Sequence, residues 1–341
     1  ADILSLVCNS SEFENLRYRE EEAVELNKLL DFCEYPMKGG LEETGTKVSI
    51  LFQAFLSGSR VDTFTLIMDT AYIIQNITRI LRGLFEVVLY RGWPTVASRL
   101  LNLSKMADRQ MWASRHPLSQ MPLSRIVLER LEEKHLTIDR ILDTEAREIG
   151  AMIGFPHAGM DVLRCARQLP RLNVITSIQP ITRTVLRVHL TLEPQFEWVD
   201  KLHGSSEPWW IWVEDTDNEH LYHTEYFILS KKQFQEASSH RGQPLELTFN
   251  VPLFEPLPAQ YYLRIVSDKW LGAEELVPLS FKNLILPHQY PPHTDLLDLT
   301  PLPVTALANP QFLAAKLYYF THFNPVQTQI FHVCYYTGHN V

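Results

Sequence analysis

The hydrophobic period of this chain changes once, near Pro170, and that change separates a helical part from a strand part. Upstream, apolar residues recur at three- and four-residue spacings. Downstream they alternate: Leu186, Val188, Leu190 and Leu192 interleave with Arg187, His189 and Thr191, and Trp210 and Trp212 with Ile211 and Val213. LYHTEYFIL, LELTFNVPLF, QYYLRIVSDKW and LVPLSFKNLIL continue the strand-like pattern, separated by Gly, Pro, Asp and Asn turns. Short strands at this regular spacing predict an all-β sandwich over about residues 172–286. Trp198, Trp209, Trp210, Trp212 and Trp270 fall inside it, where core packing accounts for aromatics more simply than ligand binding does.

The upstream part divides in two. Residues 1–115 read as an all-helical bundle. Its first helix is opened by SSEF at capping-box spacing, and the acidic run REEEAVELNKLL is either a solvated face or a ligand for basic neighbours. A helix follows around Thr46–Ser57, and a long one from Asp62 to Tyr90. The second is apolar on all sides (Ile73, Ile74, Ile77, Ile80, Leu81, Leu84, Phe85), which predicts the buried centre of the bundle. Residues 116–171 carry shorter helices. The turn FPHAGM, with Gly159 ahead of DVLRCARQL, resembles a helix–hairpin–helix, whose free N–H groups suit a phosphate. The plainer reading of Gly159 is that it joins two packed helices.

One bundle helix carries the candidate site. In WPTVASRLLNLSKMADRQMW (93–112), Val96, Leu100, Leu103, Ala107 and Met111 form the apolar face. Asn102, Lys105, Arg109 and Trp112 fall on the other side, about one turn apart. Donors, cations and a ring in this arrangement suit a single nucleic-acid strand, because cations meet phosphates and rings stack on bases. An amphipathic helix with a solvated polar face is the alternative. The formal net charge of −9 excludes an all-over basic surface, yet residues 60–130 hold ten Lys or Arg against five Asp or Glu. Cys8, Cys33, Cys165 and Cys334 lack metal-ligand spacing, so no metal site is expected. The histidines at 203, 220, 223, 288 and 293 have no partner spacing for a nucleophile or a metal. No apolar run approaches membrane-span length. ADILSLVC at the start and Asn340-Val341 at the end read as the interior of a longer chain.

PHQYPPHTDLLDLTPLP (287–303) is proline-rich and reads as an extended linker. HFNPVQTQIFHVCYYTGHNV then resembles the Q-motif entry into a RecA domain of a Ski2-like helicase. ILPHQYPPHTDLLDLTPLPVTAL is similar to the linker between the cassettes of tandem-cassette members. SIQPITRTVLRVHL, HGSSEPWWIWVED and PLFEPLPAQYYLRIVSDKWLGAE resemble the sandwich of the Sec63-homology unit that ends their N-terminal cassette. The resemblance implies a multidomain α plus β chain. A helical bundle (1–115) with a ratchet-like helix (94–112) comes first, then a helix–hairpin–helix-like domain (116–171). An immunoglobulin- or fibronectin-III-like β-sandwich (172–286), a linker (287–303) and the start of the next RecA domain (304–341) follow.

It also implies an accessory unit of an ATP-dependent 3′-to-5′ helicase of nucleus and cytoplasm. The expected partners are single-stranded DNA or RNA, the RecA domains of the same parent chain and other subunits of its complex, with no membrane. Asn102, Lys105, Arg109, Trp112 and Gly159 are the expected nucleic-acid contacts. Phe323, Pro325 and Gln327 match the adenine-reading element, with ATP and Mg bound only in the parent. The chain has no G-x-x-x-x-G-K-[ST] loop and no acidic Mg box, so this segment is not expected to hydrolyse ATP itself. A purely protein-interacting scaffold within the helicase complex is the competing reading.

Overall fold

The computed structural model describes residues 2–37, 39–237, 244–254, 256–287, 295–309 and 318–337. They fall into two compact units. The first holds the described residues of 1–87, 96–166 and 270–272; the second holds those of 88–95, 167–269 and 273–341.

In the first unit, α1 (Asp2–Cys8), α2 (Ala23–Leu29), α3 (Thr44–Leu56), α4 (Phe64–Arg91) and α5 (Pro94–Arg109) make the bundle, the second unit taking over α4 from Val88 and the opening of α5. The centre of the bundle is α3, buried along nearly its whole length, rather than α4. An ionic cluster ties it to its neighbours: Lys47 Nζ donates to Glu22 Oε2 and Asp69 Oδ2, each at 2.7 Å, and Arg19 reaches the same two carboxylates. Of the acidic run, Glu22 is therefore a ligand for a basic neighbour. Burial opposes its charge, but bonds from Lys47, Thr65 and Arg19 outweigh that and hold its carboxyl below its ordinary value. Glu25 caps the start of α4 by accepting from the backbone of Asp62 and Thr63.

The expectation that α4 is buried all round is corrected. Leu66, Asp69, Ile73, Ile77, Leu81, Phe85 and Val88 form one buried stripe at helical spacing. Phe64, Ile67, Met68, Tyr72, Val87 and Tyr90 are exposed. Apolar residues on every side of a helix say how much could be buried, not how many neighbours are there to bury it.

Shorter helices α6 (Arg125–Glu133), α7 (Ile138–Leu142), α8 (Ala146–Ile153) and α9 (Gly159–Gln168) follow. Gly154, at φ +74°, ends α8 in the left-handed region, and the predicted FPHAGM turn leads into α9.

The sandwich appears as predicted. Sheet order is β1 (Leu172–Pro180), β2 (Val185–Pro194), β5 (Leu245–Pro252) in one layer. The other layer runs β4 (Leu221–Ser230), β3 (Ser206–Glu214), β6 (Gln260–Ser267), β7 (Glu274–Ser280), and every pairing is antiparallel. This three-plus-four arrangement is that of a fibronectin-III-like domain. Leu186, Val188, Leu190 and Leu192 of β2 are buried, and so are Trp209, Ile211 and Val213 of β3. Trp212, on the opposite face of β3, is buried too; its indole N–H donates to Glu214 Oε2 at 2.8 Å. Two short helices, α10 (Asp200–His203) and α11 (Lys231–Ala237), lie between strands in the chain.

Residues 288–294 of the predicted linker, and 310–317 and 338–341 of the predicted domain start, lie outside the described residues. What is described there packs within the second unit. The strap 295–303 pairs with the β5 edge through a parallel bridge, Asn250 to Leu299. Leu302, Val304 and Leu307 form a small core with Phe323 and Phe331, and α12 (Pro325–Tyr336) carries the last of these. Tyr90 is joined to this region by its hydroxyl, 2.8 Å from Thr321 Oγ1, and by the ring of His322.

Candidate nucleic-acid interface

Pro94 opens α5 as predicted, and Leu100, Leu103, Ala107 and Met111 are buried, with Val96 half-buried. The side read as the nucleic-acid contact is not an open face: Lys105 and Trp112 are buried, and Asn102 and Arg109 are half-buried. Lys105 is 1% exposed, and its Nζ donates to Trp270 O at 3.3 Å. The Arg109 guanidinium lies over the Trp270 ring, 4.1 Å from the centroid, as a cation–π pair. Trp112 is 3% exposed, donates its indole N–H to Ser57 Oγ at 2.8 Å and meets Tyr35 edge-on. Asn102 is half-buried. The physical reason is that α5 packs on two sides, because Trp270–Gly272 belongs to the same compact unit. Gln120 fixes that turn by exchanging two hydrogen bonds with the Leu271 backbone.

Gly159 is also internal. A Cβ there would lie 1.9 Å from Ala146 O and 2.8 Å from Gly150 N, so this glycine permits the close crossing of α8 and α9. Of the two readings of Gly159 in the sequence, the joining of two packed helices is the one this geometry supports.

The open surface of the bundle is instead on α4. Tyr72, Gln75 and Arg79 are exposed along one side, with Asn76 half-buried beside them. Arg79 pairs with Glu12 at 3.0 Å and Asn76 Oδ1 at 3.2 Å, and Arg82 lies 3.7 Å from Asp108. Exposed pairs of this kind are weak enough to exchange a carboxylate for a phosphate. The sequence signal for this face was present as Tyr72, Gln75, Asn76 and Arg79 at spacings of three and four, masked by the surrounding isoleucines.

Of the adenine-reading element, Phe323 is 8% exposed and belongs to the small core, so its ring is not presented to a base. Pro325 occupies the first turn of α12, and Gln327 completes a capping box: Asn324 N donates to Gln327 Oε1 at 3.0 Å, and Gln327 N to Asn324 Oδ1 at 2.7 Å. Gln327 is exposed, and the cap leaves its Nε2 unused. Gln327 thus fits one edge of a base; the buried Phe323 does not fit a stacking role.

Of the five histidines read as lacking partner spacing, His203, His220 and His223 are among the described residues. His203 is buried, with Nδ1 accepting from Val199 N and Nε2 on Gln168 O; burial holds its pKa below the ordinary value. His288 and His293 lie outside the described residues. No cluster of three His, Cys, Asp or Glu side chains able to hold a metal occurs among the described residues. No helix among them is long and apolar enough to cross a membrane.

WWIWVED, HTEYF and PPHTDLLDL are similar first to the helicase subunit of the activating signal cointegrator complex and second to the large spliceosomal U5 unwindase. The comparisons rank the two in the same way. Activating signal cointegrator 1 complex subunit 3 is 51% identical in Gallus gallus and 49% in Homo sapiens, each over 343 residues and the whole of this chain. The Homo sapiens U5 small nuclear ribonucleoprotein 200 kDa helicase is 44% identical over 333 residues, 97% of the chain. The chain spans 15% of the length of each of these relatives. The Sec63 Brl domain profile matches residues 1–280, bundle through sandwich, and the chain belongs to that family.

Proposed function

We propose that this chain is the accessory unit of an ATP-dependent 3′-to-5′ nucleic-acid helicase, guiding the translocating single strand and docking neighbouring domains or subunits. The reading is supported by family membership and by relatives that are named helicases. The observation that carries the guiding role is the exposed side of α4, where Tyr72, Gln75, Asn76 and Arg79 follow one another over two turns. Rings and amides meet bases there, and Arg79 meets a phosphate. The motor chemistry, with ATP and Mg, belongs to the RecA domains of the parent, and Gln327 offers the base one amide edge.

The test is fluorescence anisotropy with a labelled oligonucleotide on the full-length parent. A Gln75→Ala/Arg79→Ala variant is expected to bind more weakly and to flatten the log–log salt slope by about one unit. Unchanged affinity and slope would remove α4 from the strand's path.

A docking role is favoured by a separate observation. Phe64, 73% exposed, stands with Ile67 and Met68 at the start of α4 as an apolar surface. A motor domain of the same parent is the proposed occupant, and a Phe64→Asp/Met68→Asp variant is expected to lose cross-links to it.

A further inference from the structure

Three consecutive residues near the start of α12 have different duties. Gln327 is exposed and held by Asn324 through the capping box. Thr328 is buried; its Oγ1 accepts from Leu302 N at 3.2 Å and donates to Phe323 O at 3.4 Å. Gln329 grips the strap with both ends of its amide, Oε1 accepting from Leu297 N at 2.7 Å and Nε2 donating to Asp295 O at 3.0 Å. On its other side the strap is held to the sandwich. Leu299 bridges Asn250 of β5, and Thr300 Oγ1 lies 3.1 Å from His223 Nδ1, whose ring stacks on Phe249 of β5 at 4.0 Å. The strap is therefore clamped between an edge strand and one helical turn.

We propose that this turn is a two-sided junction: an adenine nucleotide that engages Gln327 from solvent tightens the hold of Thr328 and Gln329 on the strap. The proposal rests on the reading of Gln327 as a base-reading residue. The start of a helix orders cooperatively, because the dihedrals of neighbouring residues are fixed together. The capping box already orients the Gln327 amide, with Oε1 toward Asn324 and Nε2 unused by the cap. A ligand that binds this ordered amide binds the ordered turn, and so shifts the strap toward its clamped state by its differential affinity. No change of shape is required, only a loss of local freedom. The coupling is reciprocal, so loosening the strap weakens the nucleotide by the same factor.

The experiment is hydrogen exchange on the full-length parent, with and without adenylyl imidodiphosphate and Mg. Peptides spanning 297–304 are expected to exchange about fivefold more slowly with nucleotide, the lower end of typical coupling. Peptides from β2 serve as the unchanged reference. Gln329→Ala is expected to lower nucleotide affinity by a similar factor, and Gln327→Ala to lower affinity and abolish the strap protection. If Gln327→Ala leaves affinity intact, the base-reading role itself falls, and the junction with it. If that variant lowers affinity while strap exchange ignores the nucleotide, the junction alone is overturned.

Discussion

Gly159 and Lys47 show how single positions hold the helical unit together. At Gly159 the nearest atoms to an added methyl are the backbone of Ala146 and Gly150, which cannot rotate away. Gly159→Ala is therefore expected to destabilise by about 1–3 kcal/mol, as overpacking of a tight crossing does; urea unfolding measures it, and an unchanged midpoint would mean the crossing is looser than described. Lys47 is fully buried between Glu22 and Asp69. Lys47→Met leaves the two carboxylates to share Arg19, with Thr65 still bonded to Glu22, and is expected to cost about 3–5 kcal/mol. Adding Glu22→Gln and Asp69→Asn should recover most of that loss, and failure to recover would show that the lysine stem, not the charge, matters. The sequence showed the acidic run and the helix-opening glycine, but not their partners. Glu22 meets Lys47 across 25 positions, and a phosphate-ready glycine is indistinguishable in sequence from a close-packing one.

At the scale of elements, periodicity located most helices and strands, and it failed where burial depends on a third body. The apolar face of α5 was legible from Leu100, Leu103 and Ala107. Its other face was misread because Trp270 arrives from 165 residues away, a separation no spacing rule contains. The error in α4 ran the other way, with too little around it to cover its isoleucines. Alternation in β2 was legible because one side of that strand is solvated, which period-two patterns require. The strap illustrates composition without context: its prolines indicated extended chain, while Leu299 and Leu302 bury against β5 and α12. Removing everything after residue 286 is expected to uncover the β5 edge and lower the melting temperature of the sandwich, with self-association visible by size-exclusion chromatography. A truncated chain that stays monomeric and melts as before would assign the strap no structural role.

For the molecule as a whole, the change of period near Pro170 lies close to the division between units at residues 166 and 167. The exchanged pieces, 88–95 and 270–272, were illegible because they are too short to carry a period. His116 in the first unit and His203 in the second are buried imidazoles. Burial pushes His116 and His203 below the ordinary 6.5, although bonds to the carbonyls of Leu136 and Gln168 oppose it. The unfolded chain therefore binds protons first. Stability is complete above the ordinary value and is lost as pH falls from 6.5 toward the lower folded values. His220, raised by Asp215, acts in the opposite sense from an exposed turn. A lower melting temperature near pH 5.5 than near pH 7.5 is expected, and the His116→Gln/His203→Gln variant should flatten the difference. Equal melting at both values would contradict the neutral, buried assignment.

The burial of Lys47 and Lys105 has a practical consequence for mapping this chain chemically. Amine-directed acylation of the native protein should pass over both ammonium groups while modifying exposed lysines such as Lys232. Either one turning up among tagged peptides would then register an opened bundle, giving two internal reporters of unfolding that need no engineered label.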